Sequence, residues 1–265
     1  MKRLKILSCI VAAATLAAIP LSSCSTVEDT GRKQVSFIPA AKQRQLGLSE
    51  FQRYKQQKKI SRDPEYNRQV QRVAARLTKV ISMPGAEWEF VVFEDSTPNA
   101  FALPGGKVGV HTGLFQVTQN EPALAAVIGH EIGHVKAGHS GERMSQRILA
   151  GIGTAATAVI LNQDEDLSDT KKAAIIGGVG LGATGAVLKF SRDQELEADQ
   201  LGALYMARAG YDPRESIGLW QRFSAFKGQG GRTPQFMSTH PSDATRIARL
   251  EAYMSQVMPI YERNR

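Results

Sequence analysis

The sequence predicts an α+β fold that is mainly helical. Three observations carry this reading. Apolar residues recur at helical spacing over most of the chain beyond residue 40; helix start and stop signals bracket those stretches; and one region, residues 87–113, has the aromatic and β-branched content of strands. With 42% hydrophobic and 22% charged residues, the chain can bury a sizeable core.

Residues 1–23 read as a lipoprotein signal. Met1 to Lys5 is basic, and Ile6 to Leu21 is apolar but short for a membrane span. Leu21-Ser22-Ser23-Cys24 resembles the lipobox of bacterial lipoproteins, which implies an acylated Cys24 as the mature first residue and an anchor in a membrane. Ser25, where sorting rules would read an aspartate differently, implies the periplasmic face of the outer membrane. Cys9 leaves with the signal and Cys24 carries lipid, so no disulfide framework is expected. Residues 24–40, with Gly31 and Pro39, read as a lipid-anchored tether, and residues 41–265 as a single domain without an internal repeat.

Two helices follow the tether. The second opens at Asp63, an N-cap, with Pro64 in the first helical position and Val70, Val73, Ala74, Leu77 and Val80 at helical spacing. Residues 87–95 read as a strand, and residues 99–113 as two short strands about a Pro104-Gly105-Gly106 turn. Asn120-Glu121-Pro122 starts a helix that runs through residues 130–134 and ends at Gly138. Two Gly/Ala-rich segments, 148–161 and 173–188, flank the polar "NQDEDLSDTKK" and are expected to pack as a helical pair rather than enter a membrane. Ser191-Arg192-Asp193-Gln194 has the form of a capping box opening a further helix that ends near Gly210. Residues 214–226 and 243–257 supply the last helices, around the flexible loop "KGQGGRTPQFM".

The formal net charge is +8, and residues 32–79 hold 13 Lys or Arg against 3 Asp or Glu. A solvated helix face explains this surplus best; contact with anionic head groups or an acidic partner is the other reading. Nucleic acid is not expected as a partner, because the signal exports the chain. No nucleotide is expected either. Gly180 to Gly185 spells GxGxxG, but no strand precedes it.

The chemistry lies in "HEIGH", residues 130–134. His130 and His134, four apart on a helix, are separated by about 6 Å along its axis and can reach one metal ion. Glu131 lies beside them and can take a proton from an attacking water. A third ligand is needed. His139 misses the metzincin spacing, since Ala137 and Ser140 occupy the required glycine and histidine positions, so it reads as a structural or surface histidine. Residues 191–202 serve better. Glu195 shares a face with Ala198, Asp199, Gly202 and Met206, whereas Asp193 and Glu197 share theirs with Gln200 and Arg208, a solvent face. Periodicity selects Glu195 as ligand and leaves Asp199 to accept a hydrogen bond from a ligand histidine.

In order, "NAFALPGG", "GLF", "HEIGHVKAGH", "FSRDQELEAD" and "THPSDATRI" resemble the gluzincin zinc metallopeptidases of the HtpX and CAAX-prenyl-protease type, over about residues 63–250, and most of all their periplasmic lipoprotein members. The resemblance implies a zincin-type domain with a small edge-strand sheet beside the HExxH helix. It implies one Zn²⁺ per chain on His130, His134 and Glu195, Glu131 as general base, and Asp199 behind the ligands. It also implies a substrate-binding edge strand at Asn99, Ala100, Phe101, Ala102 and Leu103. His240 of "THP" then lies near the metal, either filling the open position and holding the enzyme inactive or stabilising the oxyanion, with Arg246 in support. HtpX spans a membrane at its Gly/Ala segments, where this chain has polar residues between short ones; membrane contact by residues 148–188 is left open.

The expected function is a zinc endopeptidase acting on unfolded or misassembled envelope proteins, with an outer-membrane assembly partner possible. The alternative is a chaperone-like binding lipoprotein whose zinc site is structural or closed by His240. Glu131 favours the enzyme, because a pure binder has no need of it.

Overall fold

The computed structural model describes residues 24–163, 167–226, 235–241 and 244–265. The expected signal, residues 1–23, and residues 227–234 of the expected loop lie outside them. In chain order the elements are β1 (Cys24–Thr26), β2 (Lys33–Val35), α1 (Ala40–Gln57), α2 (Pro64–Val80), β3 (Glu89–Phe93), β4 (Ala100–Leu103) and β5 (Lys107–His111). There follow a short α3 (Phe115–Thr118), α4 (Glu121–Lys136), α5 (His139–Asn162), α6 (Asp169–Arg208), α7 (Glu215–Ala225), α8 (Gln235–Thr239) and α9 (Ala244–Asn264). The fold is thus mainly helical α+β, as the sequence predicts. The described residues form two compact units, residues 24–38 with 140–192 and residues 39–139 with 193–265.

In the first unit β1 and β2 pair antiparallel, Ser25 opposite Gln34, around a turn whose Gly31 has a φ of 71°. The ribbon is tied to α5. Arg32 Nη1 meets the buried Glu142 Oε1 at 3.0 Å, and the Phe37 N–H donates to Ser145 Oγ at 3.1 Å. The stretch expected as a tether therefore carries structure of its own. Small residues of α5 and α6, among them Ala150, Thr154, Ala158 and Ala183, line a groove between the helices. The large apolar residues Ile148, Ile152, Val159, Ile160, Ile175 and Leu181 stay exposed, so the pair does not bury its apolar surface as expected. The facing stripes are too short in bulky side chains to do so. Among the described residues α5 alone is long and apolar enough to cross a membrane by length and composition, because it begins well before the Gly/Ala run.

The second unit is built around α4. Asn120 Oδ1 accepts from Ala123 N–H at 2.8 Å and opens the helix, and every residue from Ala123 to His134 is buried. A helix apolar all round belongs at the centre of a core. On one side α2 presents Val70, Val73, Ala74 and Leu77, its N-terminus capped by Asp63, whose Oδ1 accepts from the Glu65 and Tyr66 N–H groups. On another lies a three-stranded sheet in the order β3-β5-β4, with β3 parallel and β4 antiparallel to β5. The β4–β5 turn uses Gly105 and Gly106 at φ 98° and 84°, values that other residues rarely adopt. β4 is an edge strand that packs on α4. No backbone hydrogen bond joins its outer edge to another segment among the described residues, whereas the outer edge of β3 is met by Ser61 N–H donating to Val92 O.

One expected break is missing. α6 continues through Ser191–Gln194 as a single helix to Arg208, and Gln194 is buried. No glycine or proline stands between Gly185 and Gly202 to turn the chain out of helical geometry, and a side chain can cap only where the backbone leaves it. The helix ends as expected at Gly210, φ 71°, with the Tyr211 N–H donating back to Met206 O. α9 closes the unit, packing Val257 on Leu204 and Ala207.

Candidate metal centre

Two buried helices meet at the site. α4 supplies His130, Glu131 and His134, and α6 supplies Glu195 and Asp199. Their approach is set by glycine: a Cβ on Gly202 would lie 2.9 Å from the backbone nitrogen of His130, and one on Gly133 would lie 3.2 Å from the Ala198 carbonyl oxygen. With those side chains absent, the helix backbones come close enough for Glu195 to reach both histidines. The segment after α8 adds His240.

One ligand atom each from His130, His134, Glu195 and His240 lies within 4.8 Å of all the others. The Nε2 atoms of His130 and His134 are 3.1 Å apart. Glu195 Oε2 is 3.4 Å from His130 Nε2, and its Oε1 is 3.2 Å from His134 Nε2. His240 Nδ1 is 2.9 Å from Glu195 Oε2 and 3.3 Å from His130 Nε2. A tetrahedral ion with bonds near 2.1 Å has ligand–ligand edges of about 3.4 Å, so this spacing fits a single metal.

The tautomers agree. Asp199 Oδ1 can only accept at 3.0 Å from His130 Nδ1, so the ring's proton is on Nδ1 and Nε2 is turned to the cluster. The carboxylate of Asp199 also accepts from Trp220 Nε1–H at 3.2 Å and from Arg246 Nε and Nη2, each at 2.7 Å. Arg246 lies over the Trp220 ring at 3.7 Å, reaches Glu195 Oε2 at 3.2 Å, and donates to the Pro241 carbonyl at 3.1 Å, which braces the His240 segment.

The electrostatics follow the same pattern. Burial disfavours a charge on His130, but Asp199 and Glu195 outweigh it and raise its pKa to about 9. Burial dominates at His134 and holds it well below the ordinary histidine value. Burial would raise Glu195, yet the three histidines around it hold it low; Asp199 is likewise held low, chiefly by Arg246. The low pKa values keep both carboxylates anionic, and a carboxylate ligand must be anionic to bind a cation.

Glu131 is buried beside the cluster. Its Oε1 lies 3.3 Å from His240 Nε2 and has no hydrogen-bond partner among the described residues. An orphaned carboxylate oxygen beside four converging donors fits a site built to hold an ion and a water.

Seven of the residues picked from sequence thus come together: His130, Glu131, His134, Glu195, Asp199, His240 and Arg246. Asn99 to Leu103 contribute no ligand; Ala100 to Leu103 form the edge strand beside α4. Cys24 is exposed in β1 of the other unit. One sequence reading is corrected: Glu197, assigned to a solvent face, is buried and lies 2.9 Å from the buried His139. Its polar neighbours Gln200 and Arg208 masked this. Trp220 and Phe236, whose rings pack around His130 and His240, were not signalled by any motif.

A buried helix bearing two histidines and a glutamate, crossed by a second helix bearing a third donor, defines a metallopeptidase domain of the zincin type. The chain belongs to peptidase family M48, whose profile matches residues 64–254. It is 38% identical over 188 residues to mitochondrial metalloendopeptidase OMA1 of Schizosaccharomyces pombe, covering 71% of this chain and 52% of that protein. It is 24% identical over 242 residues to the beta-barrel assembly-enhancing protease of Escherichia coli, covering 90% and 49%. The chain spans about half the length of these relatives.

Proposed function

We propose that the chain is a zinc-dependent endopeptidase that cuts unfolded or misassembled proteins of a bacterial cell envelope. The observation that carries this is Glu131, buried beside the His130–His134–Glu195 donors with an Oε1 that has no hydrogen-bond partner among the described residues. In this reading residues 41–265 are the peptidase domain. Acylated Cys24 anchors it at the periplasmic face of the outer membrane, and an assembly partner there supplies clients. Within the family we group it with periplasmic lipoproteins such as LoiP.

His130, His134 and Glu195 would hold one Zn²⁺, which when bound polarises the scissile carbonyl and acidifies water. Asp199 fixes the His130 tautomer, and Arg246 keeps Asp199 anionic and aimed. Glu131 Oε1 takes the proton of the attacking water and delivers it to the departing amine nitrogen. An extended substrate adds as a strand to the outer edge of β4, Asn99 to Leu103, which among the described residues no backbone hydrogen bond from another segment covers.

A second reading is favoured by His240, whose Nδ1 stands as a fourth donor in the cluster. It then closes the site, and the protein grips extended clients without cutting them until the His240 segment moves away.

The test is casein cleavage by the chain from Ser25 onward, with zinc measured on the same sample. Wild type should cleave with about one zinc per chain, and Glu131→Gln should keep zinc and lose cleavage; retained cleavage overturns the mechanism. Zinc without cleavage, restored by His240→Ala, would move the assignment to the closed form.

A further inference from the structure

His139 and Glu197 are buried, and neither has a part in the mechanism above. The facing Nδ1 atoms of His134 and His139 are 2.7 Å apart, and His139 Nε2 is 2.9 Å from Glu197 Oε2. We propose that Glu197, acting through His139, is a positioning device for His134, as Asp199 is directly for His130; this rests on the metal-site reading.

The protonation pattern follows from the donor inventory. His134 turns Nε2 toward the cluster, 3.2 Å from Glu195. To ligate there, Nε2 must carry a lone pair, so the ring's proton is on Nδ1 and donates outward. The atom it meets is His139 Nδ1, which must therefore accept. A neutral His139 that accepts at Nδ1 carries its proton on Nε2, and that proton points at Glu197 Oε2, 2.9 Å away, which accepts it. Each member of the chain is thus in a single tautomer, set at the far end by the carboxylate. Were His139 to carry its proton on Nδ1, two N–H groups would face each other at 2.7 Å and Glu197 would be left without that bond.

The two ligand histidines are therefore fixed by different routes. His130 has a carboxylate in direct contact, and His134 has one at the end of an imidazole relay. The spacing in the chain serves this: the residues after His134 turn through Gly138, at φ 68°, and the first residue of α5 brings its ring back against the ligand. Glu197 comes from α6 two residues after Glu195, and its Oε2 meets His139 Nε2 at 2.9 Å rather than joining the cluster. Groups of this kind behind a metal ligand typically contribute 10- to 100-fold in metal affinity.

The experiment compares zinc affinity, by competition with a chromophoric chelator, for the chain from Ser25 onward and its His139→Leu, His139→Asn and Glu197→Gln variants, with circular dichroism confirming folding. Asparagine can set its side-chain oxygen near the place of His139 Nδ1 and accept from His134. We expect His139→Leu to weaken zinc binding about 10- to 100-fold and lower kcat with KM for a peptide little changed. His139→Asn should recover most of the affinity, and Glu197→Gln should weaken binding only while His139 is present. Zinc-loaded protein labelled with ¹⁵N-histidine should show His139 as its Nε2–H tautomer. Folded His139→Leu with wild-type affinity, or an Nδ1–H tautomer at His139, overturns the relay; should His139→Leu not fold, Glu197→Gln and the tautomer decide. Failure of the wild type to bind zinc more tightly than His130→Ala would instead sink the metal-site reading itself.

Discussion

Arg246 grips Asp199 by both carboxylate oxygens, with Nε and Nη2 each 2.7 Å away and both residues almost fully buried. A buried pair of this kind is most costly when only one partner is removed, because the other charge is left uncompensated. Arg246→Leu should therefore destabilise the fold by about 3 kcal/mol in urea denaturation. It should also weaken zinc binding, since Asp199 would lose its aim at His130. An unchanged denaturation midpoint would refute the structural role given to the pair.

Metal removal should be felt in stability as well as in activity. His130, His134, Glu195 and His240 converge only when the chain is folded, so an ion at their centre binds the folded state and not the unfolded one. At free zinc about 100-fold above Kd, the gain is about 2.7 kcal/mol. Treatment with a chelator should lower Tm and zinc should restore it. The same treatment of His134→Ala should leave Tm unmoved; a Tm of the wild type that ignores the chelator would argue against a bound ion.

Asp95 gives a pH dependence away from the metal. Burial would raise its pKa, but the Thr97 N–H at 3.0 Å and Lys58 at 2.9 Å prevail and lower it to about 2 from 3.8. A carboxylate depressed in the folded state stabilises above its unfolded pKa, and that contribution is lost as pH falls from about 3.8 through about 2. The group is partly exposed, so solvent screening limits the effect to about 1 kcal/mol. Asp95→Asn should lower stability at pH 7 by this amount and flatten the acid limb between pH 4 and 2. An acid limb identical to wild type would show that the Lys58 and Thr97 contacts contribute nothing in solution.

How far the site could be read from the chain depended on whether its residues announce themselves by spacing. His130, Glu131 and His134 do, through the pitch of one helix. Glu195 does through its small and apolar companions, and the α2 and α4 starts do through Asp63-Pro64 and Asn120-Pro122. Glu197 did not, because one residue, His139, covers it on an otherwise polar stretch: it is buried against that ring while Gln200, three residues on, stays half-exposed. Nor did the continuity of α6, since a capping sequence inside a long helix is silent. The exposure of Ile152 and Val159 on α5 was not legible either, since helical spacing of apolar residues does not say which of them a neighbour covers.

Gly202 tests whether the site depends on the closeness of α4 and α6 rather than on its ligands alone. A Cβ there would meet His130 N at 2.9 Å and His130 Cα at 3.2 Å, and these are backbone atoms that cannot swing aside. The helices must then separate by several tenths of an ångström, and the Glu195 carboxylate moves with α6. Overpacking of this kind typically costs about 1–3 kcal/mol. The ligand edges near 3.1–3.4 Å have little room to widen around one tetrahedral ion. Gly202→Ala should therefore lower both Tm and zinc affinity with every ligand still in the chain, whereas Gly151→Ala, where a Cβ meets nothing within 4 Å, should do neither. Equal zinc affinity in the two variants would mean that the helix crossing does not control the geometry of the centre.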